Sequence, residues 1–588
     1  MAADGNFSPG QYARTMRWCC SVALLTLALL VGWLQLGSGR EITQRAIREQ
    51  TRLVYLPPCR GRLLDRSGIP LNYTVPGYSI VIRPELIRDP RDTRANTAGK
   101  LSAAIANLGL ALGKDFYDYR PDNAAIMRHL KNEPAMPMLL WEDVDDAVIA
   151  RWALLRHDFP ATELLLSWRR VYAFPEIAAH LRGRVRKEIP VRDADRRRFW
   201  NANAPVLRGI SGMEKAMEAQ LSGRGGTELL QTDVLSYRSR VIVSEAPDNG
   251  DDIRLTIDSG AQRLAQKLFA ERGYSGAAVA MEMSSGEILV MHSSPASTVS
   301  GGKAAPEGSE VNRALAGFYP PGSTLKPLLA LYAQENGIAE SSWRLKCPGY
   351  YLLGQRRKIG CSHIHGDIAM KDSIALSCNT YYCALAQRFT EQQFNGFADE
   401  FGFGRCTGAL LQEQESSGIA FTPGWVNAHR SADPHWRRGD AANAGIGQGG
   451  WAVTPMQLLL AVNYALTGRL LEPLYYRDAE ISVRKQRSWK PEALELVRNG
   501  MKDCVLYGTG STLRDPQLAV MAKTGTAEVG GSRRPHAWVV AAAPTEAPRY
   551  IVAVVVENGG SGGRVAGPVA MALLRELFKL EQKENTAH

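Results

Sequence analysis

Beyond residue 36 the chain has no apolar run long enough to cross a bilayer, so a multi-pass architecture is excluded and everything after that point lies on one side of a membrane. Internal repeats and long low-complexity tracts are absent too, which excludes solenoids and repeat arrays. Disulfides are limited by number. Of nine cysteines, Cys19 and Cys20 fall in the N-terminal apolar run, and the other seven are odd in count, so a complete disulfide framework is impossible for them. Charged residues make up 22% against 45% hydrophobic, a globular composition rather than a disordered one. The 588 residues allow two or more domains with sizeable cores. The net charge of +11 suits an anionic partner such as nucleic acid, a lipid surface or an acidic polymer, or simply a solvated basic surface.

The one long apolar run, 18–36, carries no charge. As a helix it spans roughly 28 Å, close to a hydrocarbon core. Trp18 and Trp33 sit near its ends, where indoles prefer the interface. Gly37-Ser38-Gly39 resembles a cleavage site, but a cleaved apolar segment is usually shorter, about 7–15 residues, so an uncleaved anchor is expected. Arg14 and Arg17 precede the run, while Arg40, Arg45, Arg48 and Arg52 follow it. This balance does not favour an exported C-terminus, although long domains translocate largely regardless of charge.

Four segments follow from this reading: a tail at 1–17, the anchor at 18–36, a first domain at 40–250 and a second at 251–583. Residues 41–50 read as a charged stalk, and Tyr78-Ser-Ile-Val-Ile82 as a strand. Within the first domain, about 92–165 reads as a mostly helical insertion, with Leu101, Ile105, Leu108 and Leu112 at helical spacing. Arg184, Arg186, Lys187, Arg192, Arg196 and Arg197 form a basic run, read as a solvated face or a contact with an anionic polymer. In the second domain, 276–283 and 287–293 read as a hairpin, and 521–527, 537–543 and 550–557 as three more strands. A final amphipathic helix covers about 568–580. Strands at both ends with helices between predict an α+β domain: one five-stranded antiparallel sheet packed against helices, with an all-helical lobe inserted and a cleft between them.

Three short motifs carry the chemistry, each weak alone: Ser323-Thr-Leu-Lys326, Ser377-Cys-Asn379 and Lys523-Thr-Gly525. Together, in this order, they mark serine acyl-transferases acting on D-alanyl peptides and β-lactams, a motif set already described for penicillin-binding proteins. A helix starting at about Ser323 and ending at Asn336-Gly337 puts Ser323 and Lys326 on one face. Pro327 is tolerable there because it falls in the first turn. Serine needs a neighbour to take its proton, and a lysine can do so only if its pKa falls. The helix N-terminus and Lys523 supply positive potential for that. Ser377 would relay a proton to the leaving amine, and Asn379 would hold Lys326 and the substrate amide. Lys523, Thr524 and Thr526 suit a substrate carboxylate. Gly525 is expected to let the acyl donor approach the strand. Backbone N–H groups of Ser323 and Thr526 would form the oxyanion hole.

With these residues in hand, the chain resembles the class B penicillin-binding proteins, and within them the penicillin-binding protein 2 group. Arg60-Gly61 to Asp65-Arg66 with Gly68, Arg170-Val-Tyr172 with His180 and Gly183, and Gly209, Gly212 and Glu214 match three motifs of an elongated N-terminal pedestal. Tyr319-Pro-Pro-Gly322 frames the nucleophile, Gly445-Ile-Gly-Gln-Gly449 with Thr454-Pro455 matches the cleft wall, and His536-Ala-Trp538 favours the elongation-type enzyme over the division-type one. The resemblance implies a single-pass protein of the bacterial inner membrane with its catalytic domain in the periplasm. It implies D,D-transpeptidation of peptidoglycan stem peptides, with β-lactams as inhibitors. It also implies partnership with a SEDS-type glycosyltransferase and other elongation-complex membrane proteins, and no nucleic-acid partner.

Between the first two motifs lie Cys347, Cys361, His363, His365, Cys378 and Cys383. Sulfur and imidazole are the preferred ligands of zinc, which closes a structural site with four of them. Some members of the penicillin-binding protein 2 group carry a metal on a similar pattern. The resemblance therefore implies a structural zinc on Cys347, Cys361, His365 and Cys378, with His363 as the alternative histidine. A Cys347–Cys361 disulfide is the competing expectation in an oxidising compartment. Other readings of the whole chain are a D,D-carboxypeptidase (a hydrolase, with water as acceptor), a β-lactamase, a β-lactam sensor and a non-catalytic polymerase activator. The anchor and pedestal argue against the β-lactamase, the single span against the sensor, and the three intact motifs against the activator.

Overall fold

The computed structural model describes residues 9–36, 51–134, 136–188, 199, 206–232, 238–296, 306–355, 357–408 and 410–586. The expected stalk at 41–50 and three of the basic run, Arg192, Arg196 and Arg197, lie outside the described residues. Helix α1 (Pro9–Leu36) begins before the apolar run and makes it one uninterrupted helix. Its stretch Tyr12–Trp33 is long and apolar enough to cross a membrane, and no part of that window is buried against protein. It is compatible with a single-pass anchor.

The first domain is built around strand β1 (Asn72–Ile82). Helix α2 (Arg94–Leu112) buries Leu101, Ile105, Leu108 and Leu112, the stripe its spacing predicts. Strands β2 (Met138–Val144) and β3 (Thr162–Tyr172) flank β1 in an antiparallel sheet of order β2-β1-β3. Asn72 faces Tyr172 and Ile82 faces Thr162, so β1 and β3 pair along their full length. The stretch 92–165 is mostly helical, as expected, but not wholly so. It is helical at Arg94–Leu112, Asn123–Asn132 and Asp146–Leu155, but β2 returns to the sheet between them. The run Met138-Leu-Leu-Trp141 suits helix or strand by composition, and an open edge on β1 decides the matter. A second three-stranded sheet joins Thr51–Leu56, Gly226–Thr232 and Arg238–Glu245.

A buried ion network ties the pedestal segments. Glu214 is wholly buried and takes Arg60 Nε at 2.7 Å and Arg170 Nε at 2.8 Å, one on each carboxylate oxygen. Asn72 Nδ2 donates to the same carboxylate at 2.7 Å, and Arg60 Nη2 reaches the Glu214 carbonyl and Glu218. Four chain segments thus converge on one carboxylate. Leu63 and Leu64 then pair in parallel with Ile253 and Arg254, and Ser259 donates to Asp65 at 2.6 Å, joining the pedestal to the second domain.

In the second domain, strands β4 (Gly276–Glu282) and β5 (Ile288–Ser294) form the expected hairpin. Helices α3 (Lys326–Glu335), α4 (Asn379–Ala386), α5 (Pro455–Thr467) and α6 (Pro491–Leu506) follow. Strands β6 (Met521–Ala527), β7 (His536–Ala543) and β8 (Tyr550–Val556) and helix α7 (Gly567–Thr586) end the domain. The sheet order is β5-β4-β8-β7-β6, antiparallel throughout, so the last strand pairs with the first and β6 is an edge. Both faces are covered, α5 lying in the core on one side and α7 with helix Ser259–Glu271 in the core on the other. Double burial explains why these strands read as nearly continuous Ala and Val. The inserted lobe is mainly helical but carries two short ribbons, Arg344–Cys347 with Gly366–Ala369 and Tyr350–Leu353 with Arg357–Gly360. Strands of four residues are too short to show a usable apolar alternation.

Glu214→Ala should strand Arg60 and Arg170 in the interior. A loss of about 3–5 kcal/mol is expected, read as an earlier urea transition, with Glu214→Asp falling between.

Candidate active site

The nucleophile turn is built by its neighbours. Tyr319 exchanges backbone hydrogen bonds with Val453, and its hydroxyl donates to Glu557 at 2.7 Å. Trp538 Nε1 donates to the Pro320 carbonyl at 3.1 Å. Gly322 takes φ of +54° and opens a 3-10 turn, Gly322–Leu325, which Thr324 braces through Pro321 O at 2.7 Å. Ser323 therefore stands in a 3-10 turn, and the α-helix proper begins at Lys326. A three-residue period keeps Ser323 and Lys326 on one face.

Lys326 is wholly buried. Its Nζ meets the Ser377 carbonyl at 2.7 Å, Asn379 Oδ1 at 2.8 Å and Ser377 Oγ at 3.3 Å. Burial first, then the charge of Lys523, push its pKa down to about 7. A neutral amine has two hydrogens and one lone pair. The two carbonyl-type oxygens take both hydrogens, which leaves the lone pair to accept a proton from a hydroxyl. Ser377 lies at a left-handed φ of +58°, unusual for serine, and this turns its carbonyl and its hydroxyl onto the same amine. The ring of Tyr382, on α4, lies 5.4 Å from Nζ and is fully buried.

The third motif forms the edge strand β6. Lys523 is wholly buried, burial lowers its pKa, and its Nζ donates to Thr524 O at 2.9 Å. Thr524 is buried and Thr526 exposed. Gly525 has a structural role besides the expected one. A Cβ there would meet Pro321 O, Thr324 Cγ2 and Trp538 Cβ, each at 3.0 Å, so its bareness admits the nucleophile turn itself. A Cβ on Gly322 would stand 3.0 Å from Thr526 O, so the Ser323 and Thr526 backbones adjoin. Behind them, a Cβ on Gly447 would stand 2.1 Å from Gly322 O, and Gly322 N donates to Gly447 O. The cleft-wall glycines therefore back the turn.

Sequence reasoning missed two groups. Glu557 binds both Tyr319 and Arg313, the latter at 2.9 Å, and with Glu557 lying 238 positions after Tyr319 no local pattern announces the contact. Tyr382 was readable in principle, three residues after Asn379 and hence on the same helical face.

Behind the second motif, Cys347 Sγ, Cys361 Sγ, His365 Nδ1 and Cys378 Sγ all lie within 4.8 Å of one another. The Cys361–Cys378 sulfurs are 3.8 Å apart, and His365 Nδ1 is 3.5 Å from both Cys347 Sγ and Cys361 Sγ. Tetrahedral zinc with ordinary bond lengths requires S···S of about 3.8 Å and S···N of about 3.5 Å, so the donor set fits. The His363 ring stands apart, its centroid 6.2 Å from that of His365. All nine cysteines are free thiols. Cys378 caps α4 through Tyr381 N, and Asn379 N donates to Cys361 Sγ at 3.2 Å. The Cys378 thiol and this N–H hold the Cys361 thiol well below its usual range, and Cys378 shifts up in exchange.

Comparison with known proteins agrees with this geometry. Residues 276–575 match the penicillin binding protein transpeptidase domain, and 55–255 the penicillin-binding protein dimerisation domain. The peptidoglycan D,D-transpeptidase MrdA of Acinetobacter baumannii is 29% identical over 93% of this chain and 84% of its own. Among solved structures, the complex between penicillin-binding protein PBP2 and MreC from Helicobacter pylori has a TM-score of 0.75 at 22% identity, covering 90% of this chain and 99% of that one. A structure titled for coordination of polymerization and crosslinking by a peptidoglycan synthase complex has a TM-score of 0.67 at 24% identity, covering 96% and 97%. The serine turn, the buried lysine and the edge strand thus sit in a domain of known kind, and the chain belongs to the penicillin-binding protein transpeptidase family.

Proposed function

We propose that this chain is a peptidoglycan D,D-transpeptidase of the elongation type, working through an acyl-enzyme on Ser323. One observation carries the reading: Lys326 is wholly buried with both amine hydrogens directed to Ser377 O and Asn379 Oδ1, so its lone pair is free to take a serine proton. A donor stem peptide ending in D-Ala-D-Ala places its carboxylate by Lys523, Thr524 and Thr526. Ser323 Oγ attacks the penultimate carbonyl as its proton passes to Lys326. Negative charge on the carbonyl oxygen is met by the N–H groups of Ser323 and Thr526, preorganised donors of the kind that contribute most in acyl transfer. The C–N bond breaks, and the departing D-alanine amine takes a proton through Ser377. A neighbouring stem's amine then attacks the ester, gives its proton to the Lys326–Ser377 pair and frees Ser323. A β-lactam enters the same cycle but leaves Ser323 acylated.

The apolar helix supports a single-pass anchor in the bacterial inner membrane with the catalytic domain in the periplasm. The likeness to structures titled for MreC and for a peptidoglycan synthase complex supports elongation-complex partners, including a SEDS-type polymerase. The fit of three sulfurs and one imidazole supports a structural zinc on Cys347, Cys361, His365 and Cys378. Bound there, zinc would crosslink the two ribbons to the second motif. It takes no part in the acyl transfer.

Labelled penicillin should leave a long-lived adduct on Ser323 of the detergent-solubilised full chain, mapped by mass spectrometry and lost in Ser323→Ala. Rapid release of the label would instead indicate a β-lactamase. Acylation should rise as pH increases through about 7, where Lys326 loses its proton, because the base works neutral. It should fall again on the alkaline side, below the usual lysine range, as Lys523 is neutralised. Lys326→Ala should slow acylation by about 10²–10⁴-fold without unfolding the protein. Metal analysis should find about one zinc per chain, and Cys378→Ser should lower both zinc content and acylation. Oxidised Cys347–Cys361 without metal would sink the zinc site.

A further inference from the structure

Thr524 has a hydroxyl neighbour that none of the three motifs contains. After α6 ends at Leu506, the chain turns through Gly508-Thr509-Gly510. Gly510 N donates to Cys504 O at 2.9 Å, and Thr509 N reaches Ala375 O at 3.4 Å. A Cβ on Gly508 would stand 2.2 Å from Ala375 O, so the turn is wedged against the segment leading into Ser377. On the other side, a Cβ on Gly563 would stand 2.4 Å from Thr509 O. Held between these walls, Thr509 Oγ1 lies 2.5 Å from Thr524 Oγ1 and 3.4 Å from Cys504 Sγ. Cys504 and Thr524 are buried, and Thr509 is exposed.

The three groups carry one hydrogen each, and the direction of donation decides what Thr524 offers. Sulfur is a weak acceptor, so the Thr509 hydrogen is better placed on the Thr524 oxygen than on Cys504. The Cys504 thiol then donates to Thr509. The Thr524 hydrogen is left for a third partner, and a carboxylate, which only accepts, needs that hydrogen. With the chain reversed, Thr524 would meet a carboxylate with lone pairs alone.

We propose that Thr509 is a positioning residue for the substrate carboxylate: backed by Cys504, its hydroxyl occupies the Thr524 oxygen and leaves the Thr524 hydroxyl as a donor. The proposal rests on the D-alanyl transferase reading and adds a determinant outside the three motifs. It commits Thr509 to recognition of the donor's free terminal acid and to no step of bond making.

The test uses the full chain in detergent with a D-alanyl thioester ending in a carboxylate, and with its methyl ester. Acylation is followed by thiol release across substrate concentrations. Thr509→Val leaves Thr524 its hydrogen but frees its hydroxyl to turn away, so the apparent dissociation constant for the acid should rise about fivefold, part of one hydrogen bond to a charged group. The acylation rate at saturation and the reaction of the ester should stay within about twofold, and Thr509→Ser should restore acid binding. Equal losses on acid and ester would reduce Thr509 to a scaffold residue and overturn the proposal, as would no change on either. Should Thr509→Val lower the thermal transition, Cys504→Ala decides: a loss confined to the acid supports the chain, and an equal or absent effect overturns it. If the unaltered protein forms no Ser323 adduct with either compound, the transferase reading itself falls, a result distinct from a normal adduct indifferent to Thr509.

Discussion

A lysine amine wholly removed from water is the constraint around which the second domain is arranged. Lys326 is buried on a helix face one turn from the nucleophile, and nothing about a buried amine is neutral in cost unless acceptors meet it. Two oxygens do so, from Ser377 and Asn379, and both come from the far side of the cleft. The lobe must therefore be held against the sheet at that one place. Ser377 takes a left-handed backbone to present its carbonyl, a strain of about 1–2 kcal/mol that packing elsewhere must offset. Gly447 and Gly525 are bare so that the turn carrying Ser323 can approach from behind and from beside.

The sulfur cluster makes sense in the same frame. A tripeptide holding a strained residue needs support from outside its own helix. Cys378 caps α4, Cys361 accepts from Asn379 N, and Asn379 Nδ2 donates to Gly360 O at 2.9 Å. The residues that would ligate zinc and those that orient Asn379 are thus partly the same. The two small ribbons bring Cys347, Cys361 and His365 to that point, each at or next to a strand end.

How much of this was legible in the sequence depends on how local the signal is. The five strands were readable because double burial leaves runs such as Tyr550-Ile-Val-Ala-Val-Val-Val556, and the order of the motifs carried the catalytic residues. Strand β2 was not readable, since Met138-Leu-Leu-Trp141 takes its conformation from an open edge some sixty residues earlier in the chain. The ribbons, with strands of four residues, were too short to show a period. Arg313, Tyr319 and Glu557 meet only after the sheet has closed through its last strand, so no spacing could disclose them. Thr509 escaped for a similar reason: its importance comes from what α6 and β6 bring to it. Gly525 was recognised, but the close approach of the nucleophile turn was not, because a strand glycine reads alike whether a ligand or another backbone approaches.

Two lysines share this site, yet their tasks need opposite charge states. Burial acts against the charge on both. The difference lies in the neighbours: Lys326 feels the positive charge of Lys523 as its second-largest influence, while on Lys523 burial alone acts against the charge. Lys326 is thus the one that gives up its proton first. A carboxylate arriving at Lys523 would neutralise that charge and relax its push on Lys326. The amine would then hold a proton more firmly with donor bound than without. The neutral amine then pulls harder on the serine proton, at the cost of a smaller neutral fraction, the compromise that places a general base's best pKa near the working pH. Coupling through the shared field makes the carboxylate of the donor part of the base's environment. It also gives a physical reason for the first and third motifs to be placed against one another rather than merely around the same cleft.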